Sequence, residues 1–178
     1  MRVFYIFLAV LLLFAVPAIA QPVPSADIIL KDACTKAGKE NKQVLLIFHA
    51  SWCGWCRKMD NSLNDPVCKK YFDDNYITCH LIVEESDGKK SLENPGAAEW
   101  KKNCGGEREG LPYWVVLNKE KKILVTSKMP AGPGAEGGNV GCPAQKEEVA
   151  YFIEVLKRTS GLTDKQLAVI SKRFAENK

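Results

Sequence analysis

From residue 22 onward, apolar positions switch repeatedly between the three-to-four-residue spacing of helices and the short runs or alternations of strands. Ile29, Leu30, Ala33, Cys34 and Ala37 form a helical stripe. With Ser25 as cap and Gly38 as stop, the spacing predicts a helix over 26–37. Val44-Leu45-Leu46-Ile47-Phe48 is an unbroken apolar run too short for a helix, so a buried strand is expected over 44–49. Lys58, Met59 and Leu63 return to helical spacing. Asn64-Asp65-Pro66 reads as a fresh helix start, with Asp65 capping and Pro66 in the first position, running to about Asp74. Residues 76–83 alternate, with Ile77, Cys79, Leu81 and Val83 on one face and Ile82 on the other, which predicts a central strand.

Residues 84–110 are polar and Gly-rich, with a short helix expected over 95–102. Gly110-Leu111-Pro112 leads into the strand Tyr113-Trp114-Val115-Val116-Leu117, which a turn at 118–121 joins to Ile123-Leu124-Val125 as a hairpin. Five glycines and three prolines between 129 and 143 predict irregular structure. Val149, Phe152, Ile153 and Leu156 fall at helical spacing within 144–159, and Gly161 ends that helix. A Thr163-x-x-Gln166 capping box opens a last short helix, whose Leu167, Ile170 and Phe174 would dock on the body.

The chemistry concentrates between the first strand and the helix after it, in Trp52-Cys53-Gly54-Trp55-Cys56. A helix start offers free N–H groups and the positive end of the dipole, both of which favour a thiolate. Such sites lower a cysteine pKa from about 8.5 to roughly 3.5–7.5. Cys53, at the helix start, is therefore expected to be the exposed, attacking sulfur, and Cys56, one turn in and covered by it, the partner that closes a disulfide. A Cys-x-x-Cys pair is also half of a zinc site, but Cys34, Cys68, Cys79, Cys104 and Cys142 are isolated in sequence and His49 and His80 lie far apart. A purely structural disulfide stays open as a further reading.

Arg2, the uncharged apolar stretch from Val3 to Val16, Pro17 and Ala18-Ile19-Ala20 have the order of a secretory signal peptide, residues 1–20, cleaved before Gln21. An uncleaved membrane anchor is the rival reading. Export, to the periplasm or as a secreted protein, is expected, and disulfides persist there. Removal of the leader leaves residues 21–178, a usual single-domain size, and takes the formal charge from +4 to +3. Basic residues are scattered among acidic ones without a basic stripe, so a nucleic-acid partner has no support. No G-x-G-x-x-G motif for a flavin or nicotinamide is present, and no cofactor or metal is expected.

With the Cys-Gly-Trp-Cys motif, the element order and Gly110-Leu111-Pro112 in hand, the chain resembles the thioredoxin superfamily over about residues 26–160, and more closely its exported members. The resemblance implies an α/β, thioredoxin-like fold: a central mixed β-sheet flanked by helices, here with a short extra C-terminal helix. It also implies a cis Leu111–Pro112 bond facing the redox pair, whereas the residues alone leave trans open. Trp52, Gly54, Trp55, Leu111 and Pro112 would then border a peptide substrate. Two positions depart from the family pattern. Ile47 stands where cytosolic reductases carry a buried carboxylate, and His49 where an aromatic residue is usual.

The expected activity is thiol–disulfide exchange at Cys53 and Cys56 on exported proteins, as a reductase or isomerase partner rather than an oxidase. Its partners would be protein or peptide thiols and disulfides, with a membrane or thioredoxin-like electron partner. A non-catalytic peptide-binding module and a thiol carrier for Cu(I) or Zn(II) are the alternatives. Cys34, Cys68 and Cys79 are expected in the core as free thiols. Cys104 and Cys142 fall in Gly-rich loops and are read either as a second disulfide or as two exposed thiols.

Overall fold

Strand β1 (Gln43–His49) is the axis of the molecule: Val44 through Phe48 are each no more than 1% exposed. The computed structural model describes residues 22–132 and 137–177; the stretch read as a signal peptide or anchor lies outside the described residues. β2 (Tyr76–Ile82) pairs parallel with β1 on one side, and β3 (Tyr113–Leu117) antiparallel on the other. β4 (Ile123–Thr126) continues the sheet, giving the order β2–β1–β3–β4. A separate two-stranded piece pairs β5 (Lys128–Met129) with β6 (Gly138–Asn139). This is the thioredoxin-like α/β fold that the sequence resemblance implied.

Strand alternation sorts the core into two halves. Leu45, Ile47, Trp114 and Val116 face helices α2 (Gly54–Leu63), α3 (Lys69–Asn75), α5 (Lys146–Thr159) and α6 (Asp164–Phe174). Val44, Leu46, Phe48, Tyr113 and Val115 face α1 (Ala26–Glu40) and α4 (Ala97–Asn103). On the first side Phe152 of α5 lies 4.8 Å from Phe174, 5.3 Å from Trp114 and 6.3 Å from Phe72, centroid to centroid. Truncating such a ring costs about 3–5 kcal/mol. Exposed helix ion pairs such as Lys69–Asp73 contribute about 0.2–1 kcal/mol. Aromatic packing therefore holds α6 onto the body. Arg173 Nε–Asp65 Oδ2 (2.6 Å) and Ser62 Oγ–Asn177 Oδ1 (2.9 Å) fix its angle.

Several local expectations hold. Ser25 caps α1 by accepting the Ile28 N–H, and the Thr163/Gln166 capping box opens α6. A second reciprocal box, Gln145 with Glu148, opens α5 at 146 instead of 144. Other expectations need correction. α1 runs through Gly38 to Glu40 and ends at Asn41, whose φ of 52° and ψ of 45° are a left-handed stop that asparagine tolerates. Asp65 forms a local turn, its Oδ1 accepting the Val67 N–H, so the helix itself begins only at Lys69. Among the described residues β2 is an edge strand, not a central one. Its Ile77, Cys79 and Leu81 pack toward α1, but Thr78 is exposed and His80 and Ile82 are half-buried. Part of 129–143 is regular after all, because β5 and β6 pair at Lys128–Asn139 and Met129–Gly138.

The second disulfide is absent: Cys104 and Cys142 are both free thiols. They belong to the two opposite halves of the core, Cys142 with Trp114 and Cys104 with Tyr113. Nor are they exposed, at 4% and 5%. Cys104 sits where Gly106 lets the chain close on Tyr113; a Cβ at Gly106 would meet that ring at 2.6 Å. Cys34 and Cys68 are buried as expected, and Cys79 is half-buried. Among the described residues no helix is long and apolar enough to cross a membrane.

Burial also silences these five thiols. It raises the pKa of Cys34, and pushes Cys68 and Cys104 to about 11 and Cys79 and Cys142 to about 12. Native protein with its Cys53–Cys56 disulfide intact should therefore resist a thiol reagent at neutral pH, and denatured protein should take up five labels. Fast native labelling at any of the five, mapped by mass spectrometry, would contradict the burial assigned to it.

Candidate active site

Where β1 ends, Ala50 and Ser51 turn the chain into α2, and Cys53 becomes the residue that caps the helix. Its extended backbone (φ −75°, ψ 103°) turns Sγ toward the first helical turn, where it accepts the Cys56 N–H at 3.1 Å. A donor that the helix geometry leaves unpaired is thus spent on sulfur, and the dipole adds to its effect. Cys53 and Cys56 are joined as a disulfide. Both are buried, at 3% and 2% exposed, packed with Ala50 and Leu111. The expectation that Cys53 stands exposed and Cys56 covered is thereby corrected. What separates the two sulfurs is the N–H that, among the described residues, Cys53 receives and Cys56 does not. The apolar packing works against that donor, because apolar surroundings raise a thiol pKa.

The rim is aromatic. Trp52, just before the pair in sequence, and Trp55, between its two cysteines, are 54% and 45% exposed. The Trp52 indole N–H donates to the Glu84 carbonyl at 2.8 Å, and the Lys58 ammonium lies 4.1 Å from the Trp55 ring centre. Gly54 opens α2 on the surface. Arg57 Nη1 donates back to the Ser51 carbonyl at 3.1 Å, bracing the motif loop. The Leu111–Pro112 bond is cis. Trp55, Leu111 and Pro112 line one groove of about 400 Å³ whose far wall runs from Asn139 to Cys142.

Two site residues went unnoticed in the sequence. Glu85 is 2% exposed, and its carboxylate accepts the Ser51 N–H at 2.5 Å and the Ser51 hydroxyl at 2.8 Å. The Ser51 backbone N–H, more than any other cause, holds its carboxyl below the usual range. Lys101, also 2% exposed, reaches Glu84 Oε1 at 2.5 Å and donates to the Glu109 carbonyl at 2.6 Å. It thereby ties the loop that holds Trp52 to the loop that enters Leu111–Pro112. Glu84-Glu85 and Lys101-Lys102 look like solvated charge pairs in sequence, so no local signal marks either residue.

The two departures from the family pattern are also resolved in space. Ile47 is packed in the core at 1% exposure. His49 meets His80 edge-on at 5.0 Å between ring centres, and His80 Nε2 lies 2.8 Å from Asp60 Oδ1. Burial first, then the charge of His80, lowers the His49 pKa. Among the described residues, no group of three or more His, Cys, Asp or Glu side chains is arranged to hold a metal ion.

A thioredoxin-like family model matches residues 27–119, just over half of the chain. The chain belongs to the thioredoxin-like family. Similar solved structures include a disulphide isomerase from Xylella fastidiosa Temecula1 at 25% identity and a TM-score of 0.48, covering 60% of this chain and 80% of that one. The C-terminal domain of DsbD from Neisseria meningitidis, in its oxidised form, is 20% identical with a TM-score of 0.46, covering 77% and 98%. The exposed lipoprotein thioredoxin Etrx1 of Streptococcus pneumoniae is 18% identical with a TM-score of 0.42, covering 72% and 89%. No curated protein sequence matches the chain. A thioredoxin-like domain carrying a Cys-x-x-Cys disulfide at a helix start is an oxidoreductase of the thiol–disulfide class.

Glu85 supplies a prediction with a definite sign. Folding lowers its pKa, so it contributes stability above its unfolded value of 4.5 and loses that contribution as pH falls through the lower folded value. Glu85→Gln should therefore cost most stability at about pH 7, with the gap to wild type closing once the pH drops well below 4.5. Urea midpoints of both proteins across that range are the check. A gap of constant size down to the acid limit would rule out the carboxylate as its source.

Proposed function

We propose that this protein exchanges thiols and disulfides with exported proteins through Cys53 and Cys56, acting as a reductase or isomerase partner rather than an oxidase. The observation that carries the reading is the Cys56 N–H aimed at Cys53 Sγ inside a disulfide that closes the first turn of α2. In the reduced protein Cys53 is the nucleophile. Its thiolate attacks one sulfur of a substrate disulfide, forming a mixed disulfide and releasing the other substrate sulfur, which takes up a proton. Cys56 then loses its proton and attacks Cys53 Sγ, freeing the second substrate thiol. Two electrons have moved to the substrate, and the protein is left with the Cys53–Cys56 bond. A partner dithiol, from a membrane or thioredoxin-like donor, must reduce that bond for the next cycle. Trp52, Gly54, Trp55, Leu111 and Pro112 form the contact surface for the peptide around the reacting sulfur.

The balance of effects at Cys53 supports the reductase or isomerase direction. A strongly oxidising pair needs its reduced form stabilised as a thiolate. Here one N–H and the helix dipole favour the thiolate, while packing against Ala50 and Leu111 opposes it. A reduction potential well below the ~−120 mV of DsbA is expected. Export rests on residues 1–20 and their signal-like pattern.

The test combines turnover with trapping. Wild type should catalyse reduction of insulin by dithiothreitol, and Cys53→Ser should abolish it. Cys56→Ser should accumulate a mixed disulfide through Cys53, visible as a mass adduct with a disulfide peptide. Peptide binding by wild type with no exchange at all would replace this reading with that of a non-catalytic binding module.

A further inference from the structure

Asn139 sits in the two-stranded piece outside the main sheet, beyond the segment that matches the family model. Its side chain is fully engaged with the neighbouring backbone. Nδ2 donates one proton to the Gly110 carbonyl at 2.7 Å and the other to the Pro112 carbonyl at 3.1 Å. Oδ1 accepts the Gly141 N–H at 3.1 Å. This pattern fixes which end of the amide is oxygen, since the flipped amide would set oxygen against two carbonyls and NH₂ against an N–H. The segment that carries Asn139 is itself anchored. The Val140 N–H reaches Ser127 O at 2.9 Å, and the Trp114 indole N–H reaches Gly141 O at 2.8 Å. Gly141, at a φ of 53°, passes against Pro112; a Cβ there would lie 3.7 Å from the Pro112 Cδ.

The consequence falls on Leu111. The carbonyls before and after it are both taken by Asn139, whereas its own N–H and C=O have no hydrogen-bond partner among the described residues. Leu111 packs against the Cys53–Cys56 pair and, with Asn139, lines the groove of about 400 Å³. We infer that Asn139 is a positioning residue. By clamping Gly110 and Pro112 it holds the main chain of Leu111 at one orientation beside the sulfurs, where an extended peptide segment can pair with it. Asn139 touches no reacting atom and acts only through Leu111. The inference deepens the proposed exchange activity and rests on that reading for the identity of the peptide as substrate.

The experiment compares wild type, Asn139→Asp and Asn139→Ala with two probes. One is hydroxyethyl disulfide, which has no peptide backbone to pair. The other is a short disulfide-bridged cyclic peptide, with its linear Cys-to-Ser version used for binding to the oxidised protein by Trp fluorescence. Asp keeps the size and the acceptor for Gly141 but turns an oxygen toward two carbonyls, so it should be the worse variant. Expected are a fall of about tenfold in kcat/KM for the cyclic peptide, carried by KM, and a similar loss in affinity for the linear one. Hydroxyethyl disulfide turnover and reduction potential should stay at wild-type values. Ala should lie between wild type and Asp, and it serves alone should Asp fail to fold. Unchanged peptide KM and affinity in either folded variant would overturn the inference, as would an equal loss toward both probes. Absence of hydroxyethyl disulfide turnover in wild type would instead refute the exchange activity, while the linear-peptide affinities still decide the role of Asn139.

Discussion

One hydrogen bond, from the Cys56 N–H to Cys53 Sγ, organises this molecule's chemistry, and its geometry depends on where β1 delivers the chain. Val44 through Phe48 are buried on both faces and paired on both edges, so the end of β1 has little freedom. Five residues after His49 the chain enters α2, and the cap position falls on Cys53. Met59 and Leu63 anchor α2 in the same core half as Leu45 and Ile47. The donor that a helix start leaves unpaired is then aimed at sulfur without any further adjustment. A shift in the α2 register would bring a different residue to the cap and leave Cys53 without this N–H.

Around that point the protein uses polar ties instead of more apolar packing. Glu85 holds Ser51 from one side, Lys101 joins Glu84 to Glu109, and Asn139 holds both carbonyls that flank Leu111. Each tie ends on backbone, so it fixes loop position instead of adding contact area. That suits a site whose rim stays open: Trp52 and Trp55 remain about half exposed although the sulfurs of Cys53 and Cys56 are covered. The Glu85 and Lys101 ties involve a charged group, the stronger kind of hydrogen bond, whereas the two Asn139 bonds are neutral and act as a pair.

The core elements were legible because they obey a period. β1, β3, α5 and α6 follow from apolar runs, helical spacing and a Thr163 capping box, and Cys53–Cys56 was visible as a motif at a strand-to-helix junction. Sequence pattern and structure diverge where two physical solutions share one pattern. β2 has apolar residues on both faces, yet Ile82 is only half-buried, and among the described residues no strand lies beyond that edge. Gly38 looked like a helix stop, but the left-handed turn came three residues later at Asn41. Cys104 and Cys142 shared a loop-like setting in sequence, and only the sheet between them shows that they cannot meet. Glu85, Lys101 and Asn139 escaped detection for a common reason. Their partners are distant backbone or side-chain groups, and an isolated polar residue in a polar stretch carries no periodic signal.

On the exchange activity proposed for this protein, the helix start makes Cys53 the reactive thiolate. The most direct measurement is the pH dependence of alkylation in the reduced protein, with Cys53 and Cys56 resolved by peptide mass mapping. Cys53 should be labelled first, with a midpoint clearly below the ~8.5 of a free thiol, and Cys56 should lag at every pH. Labelling of Cys56 first, or midpoints near 8.5 for both, would contradict it.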